Sequence, residues 1–335
     1  MPVTQIATGR AFTYVDNIGQ IGASGPTLRH PVGLARGAND ILYVANWGTE
    51  SQPNARITKC VLSTQEWIAD IGQPGSGDGE FLWPGGLIAD SNENLYLTDQ
   101  AASKIVSFDK DGNFLAKWGT PGSDQGQLLR PSGLAFDSDE NIFISDTRNH
   151  RVQKFTKDGT FLSSFGSKGS AEDQFNMPWG IALDKDDNLY VADWGNSRVQ
   201  KLSHEGSFLQ TFGSPGHHKG ELDHPSAVAV DKDGDVYIAD WANNRVIVFE
   251  PDGTFLATLI GDATNLSEWA KGKVAANPDL AKARARADLE PEWRLWHPAA
   301  LHVGDDYKIL IAEAQHMRVQ IYQKDPNYFE AQFTL

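Results

Sequence analysis

The stretch PSGLAFDSDENIFISDTRNHRVQKFTKDGTFLSSFG, residues 131–166, contains four short runs of alternating apolar and polar residues, separated by the turns DSDEN, TRNH and KDG. Alternation with a period of two puts successive side chains on opposite faces of a β-strand, and Asp, Asn and Gly at the breaks favour hairpin turns. The stretch therefore predicts a four-stranded antiparallel unit. Outward from it, a proline opens the same pattern at Pro31, Pro84, Pro131, Pro178, Pro225 and Pro298, at intervals of 53, 47, 47, 47 and 73 residues. Six such units in one chain predict an all-β, six-bladed β-propeller, because a repeat of this length buries its apolar faces only against its neighbours.

In that pattern the repeats resemble NHL repeats, which implies radial blades with the first strand of each unit innermost, over a single domain spanning residues 1–335. AFTYVDNIG, residues 11–19, matches the last strand of the other units and is expected to complete the sixth blade; the C-terminal NYFEAQFTL, residues 327–335, is the alternative. The long fifth interval contains LSEWAKGKVAA and NPDLAKARARADLE, which read as two short helices in an insertion over residues 262–296. Placed on the top face just before His297, the insertion is expected to act as a lid or pocket wall, with a surface decoration exposing Lys271, Lys282, Arg284 and Arg286 as the alternative. Extra residues around 50–54 enlarge the first blade's loop on the same side.

Bulk properties narrow the function. A net charge of −15 would repel a phosphate backbone, so nucleic acid is not an expected partner. No apolar run reaches membrane-spanning length, and one cysteine, Cys60, allows no intramolecular disulfide, so a soluble, cytoplasmic protein is expected. The Gly-rich strings do not join a strand to a helix, so no nucleotide cofactor is expected. The acidic turns lack the EF-hand pattern, and no GxSxG occurs.

Comparison of the six units separates scaffold from site. Asn46, Asp99, Asp146, Asp193, Asp240 and Glu313 recur, followed by Arg56, Lys104, Arg151, Arg198, Arg245 and Arg318, and read as carboxylate or amide holds on the loops. The residue before each proline varies instead: His30, Trp83, Arg130, Met177, His224 and His297. The residue after it also varies (Val32, Gly85, Ser132, Trp179, Ser226, Ala299), as does the one after the recurrent acid (Trp47, Gln100, Thr147, Trp194, Trp241, Ala314). Strand alternation would turn the residues on both sides of the proline toward the top of the central channel. There His30, His224 and His297, from consecutive blades, are candidate ligands of a zinc or another divalent transition metal, with separate hydrogen-bonding or base roles as the alternative. Arg130, His224 and His297 are the candidate catalytic residues, Arg130 as clamp for an anionic group. Trp47, Trp83, Gln100, Met177, Trp179, Trp194 and Trp241 are the candidate substrate-binding residues. His302, further along the last inner strand, is more readily a core histidine.

Among NHL propellers the chain resembles peptidyl-α-hydroxyglycine α-amidating lyase, which implies a channel zinc held by inner-strand histidines. In that family those histidines follow the blade proline, whereas His30, His224 and His297 precede it and Val32, Ser226 and Ala299 stand in the family's places. The calcium site of propeller lactonases, built from Glu, Asn and Asp, has no counterpart at the variable positions. The expectation is an enzyme, a metal-dependent lyase or hydrolase acting on a small anionic or aromatic molecule. The alternative is a non-catalytic NHL propeller that binds a ligand or a protein partner.

Overall fold

The computed structural model describes residues 4–22, 25–48 and 54–328. Six antiparallel sheets follow one another along the chain, with inner strands Pro31–Arg36, Pro84–Ala89, Pro131–Phe136, Pro178–Leu183, Pro225–Val230 and Pro298–Val303. Each is hydrogen-bonded outward to the next three strands of its blade, the sixth blade taking its last from the N-terminus. The quoted stretch forms blade 3 as Pro131–Phe136, Ile142–Asp146, Arg151–Phe155 and Phe161–Phe165. Its acidic turn is held by Asp137, which accepts the Asp139 and Asn141 backbone N–H groups at 3.0 and 2.7 Å.

The apolar faces meet in six clusters, one per blade interface. That between blades 4 and 5, for example, joins Tyr190, Phe212 and Leu222 to Val228, Ile238 and Phe249. The inner strands pack closely: a Cβ on Gly133 would stand 2.5 Å from the Trp179 carbonyl oxygen. Small residues at this position let neighbouring strands approach and leave open space on the axis.

The ring is closed by Arg10–Ile18, which pairs with Arg318–Asp325 through Tyr14 opposite Tyr322 and Ile18 opposite Val319. Thr4–Ala7 adds a fifth strand outside it. The N-terminal segment thus takes the place for which residues 327–335 were the alternative; 329–335 lie outside the described residues. Two cations of the closing blade grip the acidic turn of blade 5. Lys324, with a fully buried side chain, meets Asp231, Asp233 and Asp235 at 2.6, 2.9 and 2.8 Å, and Arg10 meets Asp235 at 2.7 Å.

The insertion holds three helices, α1 (Glu268–Ala275), α2 (Pro278–Arg284) and α3 (Glu290–Trp293). Ser267 caps α1, accepting the Ala270 N–H, and Asn277 caps α2, accepting that of Leu280. Trp269 is buried in the cluster between blades 6 and 1, beside Ile18, Cys60, Leu62 and Ile321, and the Ser267 hydroxyl donates to the Gly19 carbonyl. The need to bury Trp269 therefore anchors α1 at the seam where the ring closes. Cys60 lies in the same cluster, and burial pushes its thiol up to about 12. Among the described residues no helix is long and apolar enough to cross a membrane.

Candidate functional site

The recurrent acids hold the chain where it enters each inner strand. Asn46 accepts the Arg29 N–H, Asp146 that of Leu129, Asp193 that of Asn176, Asp240 that of Asp223 and Glu313 that of Trp296, at 2.7 to 3.0 Å. Behind them Arg151, Arg198, Arg245 and Arg318 donate to the carboxylates of their own blades at 2.6 to 2.9 Å. In blade 1, where the acid is an amide, Arg56 pairs with Asp70 at 3.2 Å instead. Burial raises the carboxyls of Asp146, Asp193 and Asp240 above their ordinary range, against hydrogen bonds that lower them.

Within this ring of fixed loops lies an axial cavity of about 360 Å³, lined by all six inner strands. The residues just after the prolines contribute, and Leu34, Leu87, Leu134, Ile181, Val228 and Leu301 form an aliphatic girdle around the axis. Trp47, Trp83, Trp179, Trp194 and Trp241 also line it, with Gln100, Gln315, Ser132, Ser226, His30 and His297 as its polar side chains. Among the described residues, no Asp, Glu, Lys or Arg lines the cavity.

The tryptophans form walls. Trp47 and Trp83 meet edge to face at 6.4 Å, with His30 6.2 Å from Trp47. Trp179 and Trp194 lie 6.3 Å apart, and Trp241 stacks on His297 at 4.1 Å with 19° between planes. Opposite blade 6 the wall is hydroxylic. The Ser132 and Thr147 hydroxyls stand 2.7 Å apart and reach the Trp179 and Pro178 carbonyls at 2.9 and 2.8 Å.

The residues before the prolines do not all reach the cavity: His30, Trp83 and His297 line it, while Arg130, Met177 and His224 do not. Strand alternation fails here because the strand begins at the proline. His30, Arg130, Met177, His224 and His297 adopt left-handed backbone, with φ between 42° and 58°, a strained conformation for a residue before proline. Local partners then decide where each side chain goes. His224 bonds Asp223 through Nδ1 at 2.5 Å and packs on Trp194 at 4.1 Å. The exposed Arg130 lies with its guanidinium 5.2 Å from the centre of the Trp83 ring. Met177 is half-buried, its N–H donating to His150 Nδ1 at 3.0 Å.

The three histidines are thus not gathered. Among the described residues no three His, Cys, Asp or Glu side chains lie close enough to share an ion, and His224 already has a carboxylate partner, so this donor set does not fit a common metal. Burial lowers the His30 pKa, helped by Arg29, and burial alone lowers that of His297. Both shifts favour the neutral imidazole. His302 is pushed down to about 4, mainly by burial and then by Arg36.

None of residues 262–296 lines the axial cavity. Asp288, Pro291, Glu292, Leu295 and Trp296 line a second crevice with Asn244 and His316 instead, so the insertion does not cover the axial cavity as a lid would. The loop around 50–54 lies outside the described residues except for Asn54. Gln315 was not singled out from the sequence. Comparing the blades one position beyond Ala314 would have exposed it, since Gly48, Ala101, Arg148, Gly195 and Ala242 stand at the equivalent places.

Comparison with known proteins agrees with this architecture. The NHL repeat model matches residues 128–155, 175–202 and 222–249, which fall in blades 3, 4 and 5. Protein lin-41 of Caenorhabditis elegans is 40% identical over 50 residues, which are 15% of this chain and 4% of that protein, so the match spans a small part of its length. A catalytically inactive His-to-Ala variant of virginiamycin B lyase from Staphylococcus aureus, solved with quinupristin, superposes with a TM-score of 0.59 and 14% identity. The match covers 93% of this chain and 99% of that one. A gluconolactonase from Xanthomonas campestris gives 0.62 and 14%, over 94% and 90% of the two chains. A Bacteroides thetaiotaomicron protein of unknown function gives 0.64 and 16%, over 94% and 76%. At such identities the likeness shows the fold alone.

Proposed function

For this chain of NHL repeats closed into a six-bladed β-propeller, we propose that the axial cavity takes an uncharged small molecule with a planar, apolar body and acts on it as a lyase or hydrolase would. The observation that carries this reading is the composition of the wall: five tryptophans, an aliphatic girdle and, among the described residues, no charged side chain around about 360 Å³. A largely apolar cleft with a few directional polar groups is the usual form of a small-molecule site. Such walls would leave an anionic ligand uncompensated in a protein of net charge −15, so a neutral ligand suits the cavity better than the anionic one expected from Arg130.

For chemistry, the reading relies on the neutral imidazoles of His30 and His297. Each is a base or a hydrogen-bond donor with a depressed pKa, suited to moving one proton near neutral pH. Structural neighbours named as a lyase and a gluconolactonase support an enzyme of this kind at the level of fold. One observation favours a second reading, binding without catalysis. The hydroxyls lining the wall are engaged with carbonyls, Ser226 donating to Pro298 at 2.7 Å and Ser132 to Trp179 at 2.9 Å, so no hydroxyl stands beside a base as a nucleophile.

Equilibrium dialysis against naphthalene tests the cavity. Saturable binding to the intact chain, weakened in Trp47→Ala and Trp241→Leu, is expected, and binding indifferent to both substitutions would contradict it. Screening neutral aromatic esters, lactones and amides for turnover, with His297→Asn as control, separates catalysis from binding.

A further inference from the structure

His297 shares with His30, among the described residues of the cavity wall, a buried ring nitrogen without a hydrogen-bond partner, and of the two it is the one stacked closely on an indole. Its backbone N–H donates to Asn244 Oδ1 at 2.9 Å, its ring stacks on Trp241 at 4.1 Å, and Trp296 stands 6.2 Å away on the adjacent side. Two indoles and a fixed main chain leave the ring little freedom. Its Nδ1 is buried without a hydrogen-bond partner, yet the residue lines the cavity. Only Nε2 therefore remains to meet a ligand.

A neutral imidazole carries one proton and must place it on one nitrogen. A buried N–H without an acceptor is rarer and costlier than a buried acceptor left under-satisfied. The proton therefore belongs on Nε2, and the lone pair on the enclosed Nδ1. His150 adopts the same state for a visible reason, since its Nδ1 accepts the Met177 N–H at 3.0 Å. In His297 the burial of an unpartnered Nδ1 takes the place of that hydrogen bond. The ring thus presents a donor to a cavity whose described lining residues include no competing carboxylate.

We propose that His297 Nε2–H is a specificity-determining donor that receives a neutral carbonyl-type oxygen of the ligand while the ligand's planar body lies against the tryptophans. This inference rests on the small-molecule reading of the same cavity. It defines the ligand class more narrowly, as aromatic ketones, esters, lactones or amides in preference to hydrocarbons of the same shape. Bond-making is not required of His297 in this role. The donor orients the carbonyl and strengthens its hydrogen bond if negative charge develops on the oxygen.

The test uses the intact protein with naphthalene and 2-acetylnaphthalene in equilibrium dialysis, for wild type, His297→Phe and His297→Asn. The Phe variant keeps an aromatic ring on Trp241 and removes the donor; the Asn variant keeps an N–H and tolerates the left-handed backbone at φ 50°. The ketone-to-hydrocarbon affinity ratio is expected to fall about tenfold in His297→Phe and to recover in part in His297→Asn, the ratio cancelling any change in how the shared naphthalene body packs. Nitrogen-15 imidazole spectra of wild type at pH 7.5 are expected to show the proton on Nε2. An unchanged ratio in His297→Phe, with naphthalene still bound, overturns the inference and leaves the cavity reading intact. A proton on Nδ1 overturns it regardless of how the variants fold. Failure of wild type to bind either probe removes the cavity reading and the inference together.

Discussion

Blades 3 and 6 face one another across the axial cavity and complete its wall in opposite ways. At blade 3, Ser132 and Thr147 spend their hydroxyls on each other and on the carbonyls of blade 4. At blade 6, Ala299 and Ala314 offer no polar group, and His297 brings an imidazole whose enclosed nitrogen has no partner. The first arrangement ties neighbouring blades together. The second leaves directional capacity unused by the fold, which is what a ligand requires. The two sides thus complete the wall from different positions of the repeat: the residues after the proline and after the acid at blade 3, and the residue before the proline at blade 6.

The largest effect that tests this contrast lies in the scaffold. Asp193 accepts the Asn176 N–H and pairs with Arg198 at 2.9 Å, with its own side chain fully buried. Asp193→Ala leaves the guanidinium and the loop N–H without that partner. We expect a loss of about 3 kcal/mol in chemical denaturation; a loss below about 1 kcal/mol would mean that the ring of acids is dispensable.

A smaller effect concerns His302 on the blade 6 inner strand. Its folded pKa of about 4 lies below the ordinary 6.5. Above 6.5 the imidazole is neutral in both states and contributes nothing. As pH falls from 6.5 toward 4, the unfolded chain takes a proton that the folded protein refuses, so stability declines by up to about 2–3 kcal/mol. His302→Gln should flatten that part of the pH–stability curve, and an unchanged curve would show that His302 is already protonated in the fold.

Next comes the hydroxylic wall itself. Ser132→Ala should cost about 1 kcal/mol in denaturation, because Thr147 loses one neighbour and the Trp179 carbonyl its donor, while naphthalene affinity stays within twofold. A strong loss of ligand with no loss of stability would reverse the roles assigned to the two walls. The smallest expected effect on stability is at blade 6, where His297→Phe removes a buried nitrogen without a partner and retains the stack on Trp241. Its unfolding free energy should change by less than about 0.5 kcal/mol. A drop comparable to Asp193→Ala would mark His297 as scaffold.

Most of the fold was legible in the sequence because it repeats. Six prolines, six acidic or amide residues and the matching turns appear in register, and each repeated feature has a repeated physical cause, such as a carboxylate holding a loop N–H or an Asp closing a hairpin. The closing strand at Arg10–Ile18 could be read for the same reason. Trp47, Trp83, Trp179, Trp194, Trp241, Gln100, His30 and His297 were named from the positions where the blades differ, and the structure brings these eight together around the cavity. Arg130, Met177 and His224 were named by the same rule and do not line it. The rule assumed strand alternation through a position that adopts left-handed backbone, where Asp223 and neighbouring indoles compete for the side chain. Such local competition has no periodic signature. The placement of α1 was equally illegible, because it depends on Trp269 finding a cleft between blades that only the closed ring provides.

The most direct test of the charge-free cavity compares 2-acetylnaphthalene with 2-naphthoate, molecules of similar shape that differ in charge, by equilibrium dialysis against the intact protein at pH 7.5. The ketone is expected to bind at least tenfold more tightly, with affinity lost in Trp241→Leu. Tighter binding of the carboxylate would contradict the account and return Arg130 to the centre of the site.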